Sequence, residues 1–281
     1  MGAEMSKVAV CVLNYLNYKE TMACVDSVLV QKGCLYQVVV VDNGSDNESY
    51  EFLKKRYSRR SNIAVIHVHK NYGFAKGHNI GIYYAKKHFN AEYVLLLNSD
   101  TVLPREDYLI TMLQADEQGI GVIGSQIIMR NGKHQPKLEG YIVFPATMFY
   151  YMALFTYCYG FIGISNYFNQ ILKKYPRAEL LHGSAFMLTP EYFAHYSGLY
   201  DKTFLYAEED LLYLRCCRCG LKLKYINSVS IIHKGGQSVR MFYGGGASIK
   251  DKYRLRSYKF VLLESFIDFI RLNAKNNILN L

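Results

Sequence analysis

The chain has 281 residues, 51% of them hydrophobic and 20% charged, a balance that excludes disorder and suits one large α/β domain or two intimate halves. Its net charge of +10 asks for an anionic partner, and nucleic acid is the first class to consider. No recognition helix, zinc finger or RNA-reading motif accompanies the basic runs, so nucleic acid is set aside and anionic lipid headgroups come forward.

Strand and helix alternate through the first hundred residues. Residues 7–13 read as a strand, with an apolar run too short for a signal or anchor. Seven cysteines, an odd number without a secretory leader, then predict reduced thiols in a cytosolic protein. Residues 18–31 have helical spacing, 38–41 form a buried strand, 49–57 a helix, 63–68 a strand and 75–88 a helix. Residues 93–97 are a continuous apolar strand that stops on Asn98-Ser99-Asp100. This rhythm predicts a mainly parallel sheet with helices on both faces. Ligands bind beyond the carboxyl ends of such strands, so Asn14, Asp42-Asn43 and Asn98-Ser99-Asp100 are expected on one rim. A carboxylate there suits a divalent cation that holds phosphates. The competing reading is that the triplet caps the next helix.

Residues 71–81 are Gly-rich and open a helix, but their glycines do not match the dinucleotide fingerprint. Gly73 at a helix start with Lys76 one turn in suits phosphate oxygens, while Gly77 and Gly81 allow close approach to the sheet. Residues 140–172 carry no charge and are crowded with Tyr, Phe, Met and Ile. Their length permits a membrane span, their tyrosines and Pro145 favour an element at a membrane surface, and packing in the core or a dimer contact is the third reading.

Residues 180–188 are strand-like and carry His182-Gly183-Ser184, and Glu208-Glu209-Asp210 precedes a helix. Acids at a helix start favour the dipole, yet three adjacent carboxylates also raise at least one pKa and suit a general base. Residues 222–226 and 230–233 read as strands, the second ending on His233 beside Gly235-Gly236. That histidine is either structural or part of a metal site. The Cys216-Cys217-Arg218-Cys219 cluster lacks a second pair of zinc ligands and reads as packed side chains on a helix. From residue 253 onward the tail is an amphipathic helix.

In this order the motifs resemble the inverting family 2 glycosyltransferases of GT-A fold, particularly bacterial rhamnosyltransferase-like members. The matching pieces are residues 10–15, 38–45, 71–81, 95–100, 182–187, 204–215 and 231–238. The resemblance implies a GT-A (Rossmann-like) α/β domain over 1–240, with a nucleotide-sugar-binding half over 1–100, an acceptor half over 101–240 and a helical tail over 241–281. It implies that Asn14 and Tyr15 form the first nucleotide-contacting loop and that Asp42 and Asn43 meet base and ribose. Asn71, Gly73, Lys76 and Asn79 would bind the donor, with Asn98 and Ser99 beside them. Asp100 matches the last acid of the family's Asp-x-Asp motif, whose first position is Asn98 here, and His233 would help hold a Mn or Mg ion. Glu209 matches the catalytic base, with Glu208 and Asp210 as close rivals.

The implied reaction moves a sugar with inversion from a UDP- or dTDP-sugar to a glycan or lipid-linked saccharide, in bacterial surface polysaccharide synthesis. A polyprenyl-diphosphate-linked acceptor, peripheral contact with the inner face of the cell membrane and a homodimer are consistent with it. A nucleotidyltransferase would need a Gly-rich loop after the first strand, where Leu13-Asn14-Tyr15-Leu16 stands instead. The non-enzyme alternative is an inactive GT-A-like scaffold for membrane or polysaccharide-assembly enzymes, for which Asn98 speaks.

Overall fold

The computed structural model describes residues 7–235 and 247–279, so the 236–238 end of the last motif lies outside the described residues. Its centre is an eight-stranded sheet in the order β3-β2-β1-β4-β9-β6-β10-β5. β1 (Val8–Asn14), β2 (Tyr36–Asp42), β3 (Ile63–His67) and β4 (Tyr93–Asn98) run parallel to one another. α1 (Tyr18–Val28), α2 (Ser49–Tyr57) and α3 (Phe74–Phe89) connect them. Val38, Val39, Val40 and Val41 are all buried because both faces of β2 are covered. Each such side chain contributes roughly 1.5–3 kcal/mol of transfer free energy.

After β4 no helix cap is formed, against the competing reading of the triplet. Asn98-Ser99-Asp100 turns into the short strand β5 (Thr101–Val102), and α4 (Tyr108–Gln114) starts several residues later. The polar triplet therefore faces the rim instead of a helix terminus. β6 (Ile120–Met129) follows, then β7 (Leu138–Gly140), which pairs with β8 (Ala178–Leu180) in a separate two-stranded sheet. The strand expected over 180–188 is broken into β8 and β9 (Ala185–Leu188), with His182-Gly183-Ser184 in the turn between them. β9 runs antiparallel to both β4 and β6, so its leading end meets the carboxyl ends of those strands. α7 (Pro190–His195) follows β9, and Thr189 caps it by accepting from the Tyr192 amide.

The strands expected over 222–226 and 230–233 are one strand, β10 (Lys222–His233), with a register shift between Ile226 and Ser230 where it pairs with β6. β10 also pairs with β5, which puts His233 opposite Thr101. The Lys234 amide donates to the Asp100 carbonyl at 3.0 Å. Two motifs more than a hundred residues apart are thereby stitched together at the rim.

The uncharged segment is neither one element nor a span. It folds into α5 (Ala146–Cys158) and α6 (Ile162–Leu172), each far below the roughly 20 residues a span needs. Among the described residues no helix is long and apolar enough to cross a membrane. α5 packs with α8 (Glu208–Arg218) and the long α9 (Ala247–Leu279) around Leu154, Leu211, Leu255 and Val261. Buried Thr147 and Ser265 hydroxyls meet at 2.7 Å, and Arg218 on α8 bridges Glu264 and Asp268 on α9. The C-terminal helix is thus joined by packing and charge to the helix that begins with Glu208-Glu209-Asp210. Cys216, Cys217 and Cys219 are free thiols, and burial pushes Cys216 up to about 12. Among the described residues no group of three or more His, Cys, Asp or Glu side chains is arranged to hold a metal.

Candidate active site

The carboxyl ends of β1, β4 and β10 and the leading end of β9 border one cavity of about 880 Å³. Tyr15, Asn43, Asn71 and Gly73 line one side, and Asn98, Ser99 and Asp100 its floor. His182, His233 and the run Glu208-Glu209-Asp210 complete it. His233 Nε2 lies 3.3 Å from Asp100 Oδ1, and both side chains are mostly buried. The His182 and His233 rings meet edge to face at 5.7 Å. His182 Nδ1 accepts from the Ser184 amide at 3.2 Å, and loss of water around the ring lowers its pKa.

The acids sit at the start of α8. Ala207, just before it, and Tyr206 have φ of +68° and +73°. Two successive non-glycine residues in the left-handed region are a local strain that neighbouring packing must hold, as at many functional sites. Glu209 Oε1 accepts from the Gly183 amide at 3.0 Å. A Cβ on Gly183 would come within 2.6 Å of that oxygen, so any side chain there would displace the carboxylate from this position. Glu208 is raised to about 8 and Asp210 to about 7, in each case first by loss of hydration and then by the Glu209 charge. Burial thus favours the protonated form of both flanking acids, while the Gly183 amide orients the Glu209 carboxylate.

Four residues expected at the site stand off the cavity. Asp42 is fully buried: Asn14 donates to its Oδ1 at 2.6 Å, Ser45 donates to the same oxygen, and His67 Nδ1 is 2.8 Å from its Oδ2. Asn14 in turn accepts from Thr21, so both side chains brace the rim from behind. Lys76 is exposed and does not line the cavity. Asn79 clamps the loop after α7, accepting from the Leu199 amide at 2.7 Å and donating to its carbonyl at 2.9 Å.

Asn43 donates to Asn71 and to the Gly73 carbonyl and accepts from the Tyr72 amide. Gly73 has φ +82°, and a Cβ there would sit 2.2 Å from the Phe204 carbonyl oxygen. The Phe74 amide donates to that same carbonyl, so this amide of the α3 start is taken by the chain itself. Gly77 does bring α3 close to β1, since a Cβ would meet Leu13 at 2.6 Å.

Sequence reasoning had assigned no role to His182 and Gly183, although their motif was noticed. Tyr141, Tyr150, Arg177, Arg254 and Tyr258, which line the far wall, were not expected at the site, because they come from three separate segments and the aromatic one read as a membrane, core or dimer surface. A donor set of one carboxylate and one imidazole, Asp100 and His233, fits a divalent cation whose remaining positions are filled by phosphate oxygens and water.

A family model described as Glycosyl transferase family 2 matches residues 8–195. The low-salt glycan biosynthesis hexosyltransferase of Haloferax volcanii is 29% identical over 202 residues, 70% of this chain and 58% of that protein. The undecaprenyl-phosphate 4-deoxy-4-formamido-L-arabinose transferase of Edwardsiella ictaluri is 30% identical over 108 residues, 38% of this chain and 30% of that protein. This chain thus spans less than two thirds of the length of these curated relatives. Among solved structures, S. aureus TarS in complex with UDP-GlcNAc superposes with TM-score 0.59 at 16% identity, over 92% of this chain and 66% of that one. A Pyrobaculum calidifontis mannosyltransferase in complex with GDP-Man and Mn2+ gives 0.56 at 12% identity, over 95% and 75%. These two structures share the fold.

Proposed function

The chain belongs to glycosyl transferase family 2, and from that premise we propose that it moves a sugar from a nucleotide-diphosphate sugar to a saccharide hydroxyl with inversion. The observation that carries the reading is one cavity with the Asp100–His233 pair on one side and Glu209, oriented by the Gly183 amide, on the other. Glu209 takes the proton of the acceptor hydroxyl as that oxygen attacks the anomeric carbon from the face opposite the leaving nucleoside diphosphate. A single displacement inverts the configuration. Asp100 and His233 would hold a Mn or Mg ion, which supplies positive charge for the departing diphosphate when bound. Tyr15, Asn43 and Asn71 line the nucleotide side, while Asn14, Asp42 and Asn79 keep that wall in place.

The donor we propose is a UDP- or dTDP-linked hexose or rhamnose. The acceptor we propose is a glycan or lipid-linked saccharide in surface polysaccharide synthesis. The exposed Phe155, Tyr159, Phe161, Ile164 and Tyr167 of the α5–α6 hairpin support peripheral contact with a membrane. Flotation with anionic liposomes at low salt checks this contact: protein left in the soluble fraction as a dimer would assign the face to self-association. An inactive scaffold is the weaker reading, because all three acids line the cavity.

The reaction is tested by titrating nucleotide-sugars with and without Mn2+ and following the anomeric configuration of the product by NMR. Expected is metal-enhanced binding of one donor and an inverted product. Binding of no nucleotide-sugar, or retention of configuration, overturns the reading.

A further inference from the structure

The cavity continues past the acids, and its far wall differs in chemistry from the nucleotide side. A sequence of contacts orders the two. Asp100 pairs with His233, whose ring meets His182, and the turn carrying His182 donates to Glu209. Beyond Glu209, Asp210 lies against Gly140, where a Cβ would be 2.6 Å from its Oδ1. Tyr150 and Tyr141 come next, with ring centroids 5.8 Å apart, and the Arg177 guanidinium lies 5.0 Å from the Tyr141 ring. Arg254 donates to the Tyr150 hydroxyl at 2.5 Å. Lys250 is on the same wall, 5.9 Å from the Tyr206 ring. The acids therefore stand between the Asp100–His233 pair and a basic, aromatic surface.

The cations of that surface are only loosely neutralised. Arg177 is 3.6 Å from Glu139, and Arg254 is 3.7 Å from Asp251. Each guanidinium carries five N–H donors, more than these contacts use. Asp210, the third acid nearby, is raised to about 7 chiefly by loss of hydration, so near neutrality much of its charge is absent. In addition, the Tyr206 hydroxyl is buried with no hydrogen-bond partner among the described residues, at a position where the backbone is already left-handed. A buried polar group left unpaired costs about 1–3 kcal/mol, and a bound polar ligand would recover it.

We propose that the wall formed by Arg177, Arg254 and Lys250 with Tyr141, Tyr150 and Tyr206 is an acceptor subsite for a saccharide that carries a phosphate group. The guanidinium forks take the phosphate oxygens, as bidentate arginine contacts commonly do. The tyrosine rings supply apolar area for the sugar faces, and Glu209 lies between this phosphate and the donor diphosphate. The proposal rests on the glycosyl-transfer reading and names the acceptor class for it. A phosphate bound here could also come from the donor, and the test separates the two sources.

Binding is measured by calorimetry on the full chain with Mn2+. UDP, dTDP and GDP are titrated first. With the best of them saturating, the 1-phosphates of glucose, galactose, mannose and N-acetylglucosamine are compared with their methyl glycosides. Expected is at least a tenfold preference for the phosphate in one or more pairs. The double variant R177Q/R254Q should lose that preference and bind the nucleotide as wild type does. No preference in any wild-type pair overturns the subsite without any variant being needed. Displacement of the nucleotide by the hexose phosphates, or an equal loss of nucleotide affinity in the double variant, overturns it by assigning the wall to the donor. Failure of every nucleotide to bind overturns the glycosyl-transfer reading itself, and the subsite with it.

Discussion

In residues 8–100 the polar side chains of the rim are tied to one another. Asn14, Ser45 and His67 hold Asp42, while Asn43 holds Asn71, Gly73 and Tyr72, so the nucleotide side is set before any ligand arrives. On the far wall, drawn from residues 138–258, Arg254 donates to Tyr150, but Arg177 and Lys250 lie 5.0 and 5.9 Å from tyrosine rings and the Tyr206 hydroxyl is buried without a hydrogen-bond partner among the described residues. The first region closes its polar side chains on one another, whereas the second leaves guanidinium donors and the Tyr206 hydroxyl open. A satisfied network rigidifies, whereas an unsatisfied one is costly unless a ligand completes it. On the proposed reading the contrast makes several motif residues of the nucleotide side scaffold, and it leaves acceptor recognition to a wall to which the matched motifs contribute Tyr206 and the acids.

The sharpest way to break that contrast is at the border. Glu209→Gln should lower transfer by about 10³-fold in initial-rate assays while nucleotide affinity stays near wild type. A larger loss in Glu208→Gln or Asp210→Asn would move the base to a neighbour. Gly183→Ala pushes a methyl group against Glu209 and should cost about 10²-fold in kcat, with the melting temperature little changed. Unaltered kcat would show that the Gly183 contact does not position the carboxylate.

A third test uses the poorly hydrated acid. Glu208 is raised from 4.5 to about 8 chiefly by burial, so the folded state binds its proton more tightly than the unfolded state does. Its stabilising contribution is complete below about pH 4.5 and is lost as pH rises through about 8. Glu208→Gln should therefore match wild type in thermal melts near pH 5 and gain on it by several degrees toward pH 8.5. Parallel melting curves across that range would remove the buried-acid account.

The scaffold side is tested by Asn79→Ala, which removes both hydrogen bonds to Leu199. About 1–3 kcal/mol of stability should be lost in denaturant unfolding, with nucleotide affinity retained. Selective loss of affinity would return Asn79 to the donor site. The smallest effect is expected for Asn98→Asp, which adds a second carboxylate beside Asp100. It should lower the Mn2+ concentration needed for nucleotide binding severalfold, and no change would place Asn98 away from the ion.

How far the sequence could be read differed along the chain for a physical reason. Val38 to Val41 and Leu95 to Leu97 are continuous apolar runs, and burial of both faces of a parallel sheet demands such runs, so these strands and their polar ends were legible. The same local signal left Asn98-Ser99-Asp100 open between a helix cap and a rim site, because a cap and a turn into β5 use the same residues. It also merged β8 with β9, since the break at His182-Gly183-Ser184 is imposed by pairing with different partners. For residues 140–172 composition left three readings open, and only packing against α8 and α9 showed a helix pair with one buried and one exposed side.

The sequence by itself determined the alternating α/β architecture and the polar ends of its strands, because periodicity and strand-end polarity are local properties. The tertiary structure alone decided which of those residues meet. The β10–β5 pairing brings His233 to Asp100, and antiparallel β9 carries Gly183 to Glu209. α9 folds back over α5 and α8 and sets Arg254 on the far wall. Contacts between residues so distant in the chain depend on strand order and helix packing, which no short window of sequence contains.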